Sequence, residues 1–439
     1  MGFCYEEVFK IKHHFSFGIN GRGVYLQDFE LDLLRILANQ KLVTSKQFLN
    51  LYNMYKPISG DSLRVKLSRW SKYDVVSTQN VRVQRRFGNP LKHIRIGQNG
   101  IKILVDMKIL SPDWNKVEIK KFSQIKNYDH YFGIQEIATR TIINLQNKLS
   151  DFKSISPGFA DGSVISKDEL SLLAADNVVP DWILISKGQV LFLEFDTGNE
   201  SLQVIQDKVR HYISLSKRDH SNKYIVLFSL IDESMPTLRY YPDNRKVRIN
   251  NMKMAIKETF DSIGGNPPNL SVYVVSLHRS VRLAEEILIG TKPYGLVNQE
   301  IELDTFATLI NENKGLNFRF ENTRHLNSQA GHALGTVVEI VDKSSGRRTT
   351  ASLLLMDEGS VDMIAKVKRF SDYSQMNVLD NDSKILIGVF KDKIQLENEI
   401  IGINLPNVYF TDMDSWKPSG SQEFLRSVSP TKMEVCTLE

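Results

Sequence analysis

Apolar positions recur along this chain with two rhythms, and the places where one gives way to the other mark its elements. From Asp28 to Ala38, Phe29, Leu33, Leu34 and Leu37 fall at the three-and-four spacing of one helix face. Thr44 or Ser45 can cap a second helix carrying Phe48, Leu49 and Tyr52. Ser59 or Asp61 can cap a third, with Leu63, Leu67 and Trp70 as its stripe. The rhythm then shortens. VSTQNVRVQRRFGNPLKHIRIG holds two β-rich runs around Gly88-Asn89-Pro90, which reads as a hairpin, and a helix from Gln98 to Met107 follows.

A second pattern starts near Asn127. A helix carries Ile134, Ile137, Ile142, Leu145 and Leu149, and a loop runs from about Phe152 to Asn177. Next comes VVPDWILISKGQVLFLEFDTGNE, Val178 to Glu200, apolar on both faces of both arms, as buried strands are. A helix with Leu202, Ile205, Val209 and Tyr212, a strand Tyr224 to Leu230, a helix near Asn251 to Ser262 and a strand Leu270 to Leu277 complete the run. This order builds an α/β sandwich on a mixed sheet.

The last third echoes the middle, either as a second copy or as a chance likeness of two short α/β runs. Leu353 to Gln375 parallels Phe192 to Lys217, with Asp357 and Gly359 answering Asp196 and Gly198. Leu355 stands where Glu194 would, so this copy has lost an acid. The expected layout is an N-terminal extension (1–25), a domain of helices and a hairpin (26–110), an α/β domain (127–290), a degenerate α/β copy (300–415) and a tail of loop and disorder (416–439). A linker is expected near Gly290 to Asn298.

Length changes this picture little, since 439 residues suit two to four domains. No apolar run approaches a membrane span. The opening MGFCYEEVFKIKHH lacks a secretory pattern, and Glu6 breaks the myristoylation pattern. Cys4 and Cys436 are the only cysteines, which excludes a disulfide scaffold or a cysteine-rich zinc site and leads to an expectation of cytoplasm.

Net charge is a mild +5, but its distribution is uneven. Between Ser59 and Arg95 the bases are Arg64, Lys66, Arg69, Lys72, Arg82, Arg85, Arg86, Lys92 and Arg95, against the acids Asp61 and Asp74. Three helices and a basic hairpin form a winged helix-turn-helix pattern. Its third helix would enter the major groove of double-stranded DNA and its wing would grip phosphate. A solvated basic face or a protein-interaction module is the alternative.

The acids of the central hairpin are the candidate chemistry. If Lys187-Gly188 is a two-residue turn, Asp181 stands opposite Glu194, and Asp196 shares that face. Like charges so placed repel, and a divalent cation such as Mg²⁺ or Mn²⁺ would relieve them. Acids solvated at strand ends, or paired with Lys or Arg, are the alternative.

This order, with Pro180-Asp181 and Glu194-Phe195-Asp196 on adjacent strands, resembles the PD-(D/E)xK restriction-endonuclease-like superfamily. The resemblance implies Asp181 and Glu194 as metal ligands and Glu136 of the leading helix as a third acid. The lysine usual two residues after Glu194 is absent, and Asp196 stands there. Lys208, one helix later, could return an ammonium to the site. His130 is expected as a supporting group, and His13 and His14 as surface residues.

The winged helix followed by PDW, LEFDTGNE and KVRHY is similar to the replication-relaxation family, over roughly Leu26 to Leu288. The fold class that follows is α/β (α+β): winged helix, nuclease-like sandwich, degenerate second sandwich. The function implied is DNA binding in replication, relaxation or transfer of a plasmid, phage or other mobile element. If the core is active, it would be a metal-dependent DNA endonuclease, with Asp181, Glu194, Asp196, Glu136 and Lys208 as its catalytic set. Two other readings stay open: a non-catalytic regulator or initiator using inactive sandwiches for dimerisation and DNA grip, and a DNA-reading adaptor of a defence or transposition complex. A homodimer and replication or transfer proteins of the element are the partners considered, with no membrane.

Overall fold

The computed structural model describes residues 12–17, 21–81, 91–117, 125, 127–146, 148–156, 179–235, 245–325, 335–375, 385–399, 405–429 and 432–438. The chain is mixed α and β, as expected. It divides into two compact units, one of Met1–Thr197, Ile231–Tyr241 and Leu277–Glu285, the other of Gly198–Leu230, Pro242–Ser276 and Glu286–Glu439.

A hairpin of β1 (Lys12–Ser16) and β2 (Gly23–Gln27) lies in and just past the expected N-terminal extension. His13 Nε2 lies 2.8 Å from Asp28, the first residue of α1 (Asp28–Gln40), so His13 is partly covered while His14 is exposed. There follow β3 (Val43–Thr44), α2 (Ser45–Tyr55), α3 (Gly60–Lys72), β4 (Val76–Val81), β5 (Leu91–Ile96) and α4 (Gln98–Asp106). Thr44 caps α2 reciprocally: its hydroxyl accepts the Gln47 N–H at 3.1 Å, and the Gln47 side chain accepts the Thr44 N–H at 2.9 Å. Ser59 caps α3 through the Ser62 N–H at 3.2 Å. The three strands form an antiparallel sheet ordered β3-β5-β4. Leu33, Leu37, Phe48, Leu63, Leu67, Trp70 and Ile94 are buried, as the helical stripes require.

One carboxylate, Glu30, is 1% exposed among these helices. It accepts the Tyr52 hydroxyl at 2.7 Å and pairs with the Lys66 ammonium. A buried charge without such partners is strongly disfavoured, and this pair joins α1, α2 and α3.

Helix α5 (Tyr128–Leu145) leads to β6 (Lys153–Ile155), β7 (Trp182–Ser186) and β8 (Gln189–Asp196), an antiparallel β6-β7-β8 run. Strand β6 lies inside the expected loop; three residues are too short to show a period. In the second unit come α6 (Leu202–Arg218), β9 (Lys223–Leu230), α7 (Arg245–Ser262) and β10 (Leu270–Ser276). Strands β9 and β10 are parallel, with Tyr224 beside Leu270. Helix α8 (Leu277–Leu288) follows.

The remainder is α9 (Leu296–Glu312), β11 (Phe318–His325), β12 (Thr336–Asp342), β13 (Arg348–Leu355), α10 (Val361–Gln375), β14 (Ile385–Phe390), α11 (Lys393–Asn398) and β15 (Val408–Asp412), then β16 (Phe424–Ser429) and β17 (Lys432–Cys436). Seven strands form one sheet in chain order: β11 to β13 antiparallel, β13 to β15 parallel, β15 to β17 antiparallel. Helix, three antiparallel strands, helix, strand, helix, parallel strand is the order found from α5 to β10 and again from α9 to β15.

The expectation of loop and disorder after Ser415 is corrected. Trp416 is 2% exposed against Phe424, and β16 and β17 close the sheet edge. Each strand is only five or six residues long, behind a Pro-Ser-Gly-Ser turn that hides the signal. Among the described residues no helix is long and apolar enough to cross a membrane.

Candidate functional site

The basic surface begins on α3. Arg64, Arg69 and Lys72 are exposed, with Val65 and Ser68 between them, and Asp61 is the helix's single acid. Arg64 lies 3.2 Å from Asp61, in an exposed pair of small energetic consequence. On β5, Lys92 is exposed. Two expected DNA contacts turn inward instead. Lys66 is committed to Glu30 and lies over the rings of Tyr52 and Trp70, at 5.6 and 5.5 Å. Arg95 is half-buried, donating to the Ile96 carbonyl at 3.4 Å; burial lowers its pKa, against the pull of Asp74. Helical and strand phase explain both: Lys66 falls beside Leu63 and Trp70 on the stripe, and Arg95 shares its strand face with the buried His93 two residues earlier. Arg82, Arg85, Arg86 and Gly88-Asn89-Pro90 lie outside the described residues.

The acid hairpin has the expected register. Lys187 (φ 52°) and Gly188 (φ 71°) form its turn, both left-handed as a tight two-residue hairpin turn requires. Asp151 braces that turn, accepting the Ser186 hydroxyl at 2.7 Å and the Lys187 N–H at 2.5 Å. Ser186 pairs with Gln189 and Trp182 with Leu193, so the next step sets Asp181 against Glu194. Glu194 and Asp196 alternate onto one face and are each 2% exposed. Asp181 stands just before β7, its side chain 21% exposed. Its Oδ2 accepts the Phe195 N–H at 2.8 Å and lies 3.1 Å from His130 Nε2.

A glycine places that histidine. A Cβ on Gly133 of α5 would come within 2.1 Å of the Phe195 ring, so only glycine lets α5 approach β8 this closely. Glu136, six residues beyond His130, is turned about 120° around the helix from it. Its Oε2 accepts from Gln47 of α2 at 3.1 Å, and Arg140 lies 4.0 Å away. The expected third acid thus faces α2, and this geometry does not bring it beside Asp181. In the second unit Lys208 donates to both Glu200 oxygens at 3.0 Å, and the Glu200 carbonyl accepts from Arg248 at 2.5 Å.

Sequence reasoning missed Asp232 and His278. Ile231 donates its N–H to the Asp196 carbonyl at 3.0 Å. The fully buried Asp232 beside it accepts both the His278 N–H and Nδ1 at 2.8 Å. Burial alone would raise the Asp232 pKa, but hydrogen bonds from His278 and Ser234 outweigh it and hold the carboxyl at about 2. Forty-six residues separate the partners, with no motif linking them. Among the described residues no group of three His, Cys, Asp or Glu side chains is arranged to hold a metal ion.

A family model described as replication-relaxation matches residues 34–231. Over that stretch, somewhat less than half of the chain, the sequence is similar to the replication-relaxation family. It runs from α1 past β9, and so takes in the basic helix, the acid hairpin and the Lys208–Glu200 pair. The replication-relaxation match suggests a role in replication or relaxation of mobile elements. No curated protein and no solved structure matches the chain.

Proposed function

We propose that this chain binds double-stranded DNA of a mobile element through a winged helix within residues 26–110, and that the α/β region following it is a nuclease-like core acting on that DNA. The observation that carries the reading is the outer face of α3, where Arg64, Arg69 and Lys72 are exposed around a single acid on a capped, well-packed helix. Such a face suits the phosphate-lined major groove. Replacing Arg69 and Lys72 together by alanine is expected to weaken duplex binding roughly 10- to 100-fold and to flatten the salt dependence by about two units of slope. Unchanged affinity would overturn the interface.

A divalent cation here would have two carboxylate ligands, with no third His, Cys, Asp or Glu side chain among the described residues placed to join them. Asp181 and Glu194 offer hard oxygens, and the Phe195 N–H and His130 both engage Oδ2 of Asp181, not Oδ1. These two residues would hold Mg²⁺ or Mn²⁺, which would supply charge against a phosphate and acidify a water. His130 fixes the Asp181 carboxylate, and buried Glu194 and Asp196 keep the mouth of the site acidic. Metal-dependent nicking of supercoiled DNA is expected, and Asp181→Ala/Glu194→Ala should lower it at least about 100-fold. Nicking indifferent to those changes would sink the catalytic reading. A second reading, a regulator or initiator that grips DNA without cutting it, is favoured by Asp196 at the place of the usual lysine and by the engagement of Lys208 with Glu200. Full duplex affinity without nicking in any divalent ion would select it.

A further inference from the structure

The seven-stranded sheet of the second unit carries a cavity of about 590 Å³ that neither the DNA-binding nor the nuclease reading uses. Strand pairing sets its floor. Phe318 of β11 stands opposite Asp342 of β12, and Ile340 of β12 opposite Thr349 of β13. Ile385 of β14 pairs with Ala351, two residues beyond Thr349, so all these side chains emerge on one face. The rings of Trp416 and Phe424 also line the cavity, 4.8 Å apart between centroids, with Phe318 at 6.4 and 6.2 Å from them. Ile340, Ile385, Trp416 and Phe424 are buried, whereas Asn317, Arg347 and Gln422 are exposed. An apolar floor under a polar rim, at this volume, is the usual form of a small-ligand pocket.

The groups around that floor select the occupant. Three aromatic rings in mutual contact favour a flat ring over a flexible chain. Arg347 is the one cation among the described residues that line the cavity, and its guanidinium has no hydrogen-bond or ion-pair partner among them. Its planar fork matches a phosphate. The side-chain amides of Asn317 and Gln422 and the hydroxyl of Thr349 also have no partner among the described residues. Each can both donate and accept, as nucleobase edges and sugar hydroxyls do. Asp342 is the one acid of the lining. Its Oδ1 takes the N–H and the hydroxyl of both Ser344 and Ser345, which holds the carboxyl below its usual range and therefore ionised. One cation and one fixed anion suit a ligand with a single phosphate and disfavour a polyphosphate.

We propose that this cavity binds a free nucleoside monophosphate, its base against the rings of Phe318, Trp416 and Phe424 and its phosphate on Arg347. Nothing in the site depends on the DNA-binding reading above. A charge-assisted contact from Arg347 corresponds to roughly 10- to 100-fold in affinity.

The test titrates the full chain with AMP, GMP, CMP and dTMP by equilibrium dialysis. Tryptophan emission is the second readout, because Trp416 is the one tryptophan of the second unit. At least one monophosphate should bind saturably and change that emission. Arg347→Gln, at an exposed position, should weaken it at least about tenfold, as should removing the phosphate from the ligand. The matching triphosphate should bind more weakly than the monophosphate. Arg69→Ala/Lys72→Ala should leave nucleotide affinity unchanged, and a loss there would put the nucleotide on the basic helix and overturn the site. No saturable binding of any of the four, or equal affinity in Arg347→Gln, overturns the proposal and leaves the DNA-binding reading standing. A 5′-phosphorylated single-stranded oligonucleotide that binds this site more tightly than the monophosphate overturns the free nucleotide as its ligand.

Discussion

Asp196 ends β8 and Asp357 lies two residues beyond the end of β13, and each is followed two residues later by a left-handed glycine, Gly198 at φ 88° and Gly359 at φ 79°. A serine then leads each run into a helix: Ser201 accepts the Val204 N–H at 3.3 Å, and Ser360 the Met363 N–H at 3.4 Å. Their surroundings diverge. Asp196 sits with Glu194 in a hairpin whose third acid, Asp181, keeps a side chain partly open to water. Asp357 is sealed. Lys292 Nζ lies 2.8 Å from its Oδ1, and the Tyr273 hydroxyl donates to its Oδ2 at 2.6 Å. Lys292 also lies 3.3 Å from Glu286 and over the Tyr294 ring. Burial would strip the Lys292 charge, but Asp357, helped by Tyr294 and Glu286, outweighs it and holds the ammonium charged well above its ordinary range. The lesson is that one turn chemistry serves opposite ends. Where neighbouring acids remain, the aspartate borders a polar mouth; where leucine replaces the neighbour, a lysine and a tyrosine convert it into a clasp.

The comparison breaks most readily at the clasp. Lys292→Met leaves Asp357 buried without its cation and should cost about 3–5 kcal/mol, read as a lower urea midpoint. Lys292→Met/Asp357→Asn should regain much of that loss, and an unmoved midpoint in the single variant would show that the pair holds nothing. The glycines sharpen it next. Gly359→Ala meets both a left-handed backbone and a Cβ 2.3 Å from Val275, and should cost about 2–4 kcal/mol. Gly198→Ala meets nothing within 4 Å and should cost about 1 kcal/mol. Equal losses at the two positions would erase the contrast.

His93 supplies the intermediate case, a buried titratable group without a counter-ion. It is 1% exposed, neither ring nitrogen has a hydrogen-bond partner among the described residues, and burial lowers its pKa from 6.5 to about 4. The unfolded chain therefore takes up the proton first. Stability should be full above pH 6.5 and fall by about 2–3 kcal/mol as the pH drops to 4. His93→Phe, set against Tyr128 and Phe132, should flatten that decline in acid-denaturation curves; a decline of the same depth in the variant would place its origin elsewhere. Smallest of all is the stability effect of Asp181→Asn. The amide oxygen can still accept the Phe195 N–H, and the site is partly solvated, so less than about 1 kcal/mol should be lost. A loss as large as that of Lys292→Met would make Asp181 a structural staple.

Much of this was legible in the sequence where a local rule was enough. The caps Thr44 and Ser59 announced α2 and α3, and Lys187-Gly188 set a register that carried Asp181 to Glu194 without any tertiary knowledge. What stayed hidden depended on partners distant in the chain or on elements too short to show a period. The three residues of β6 and the short strands β16 and β17 fall in the second class. Lys66 belongs to the first: its charge suggested a groove-facing residue, and only the buried Glu30, thirty-six residues earlier, draws it inward. Asp232 and His278, and Lys292 and Asp357, are likewise pairs whose meaning lies in the meeting. The count of bases in a window measures potential, whereas the phase of each residue on its helix or strand decides which of them faces water.

Helix α5 has a mechanical consequence. Gln135 and Tyr131 bond the carbonyl of Gln40 at the end of α1, Glu136 takes the Gln47 amide, His130 reaches Asp181, and Gly133 seats the Phe195 ring. It is an axle bolted to two housings. Rolling it by a single residue, about 100° of rotation, would shear the fastenings on both sides at once. The basic helices and the acid hairpin are accordingly fastened to one rod, so a shift of that rod breaks bonds to both.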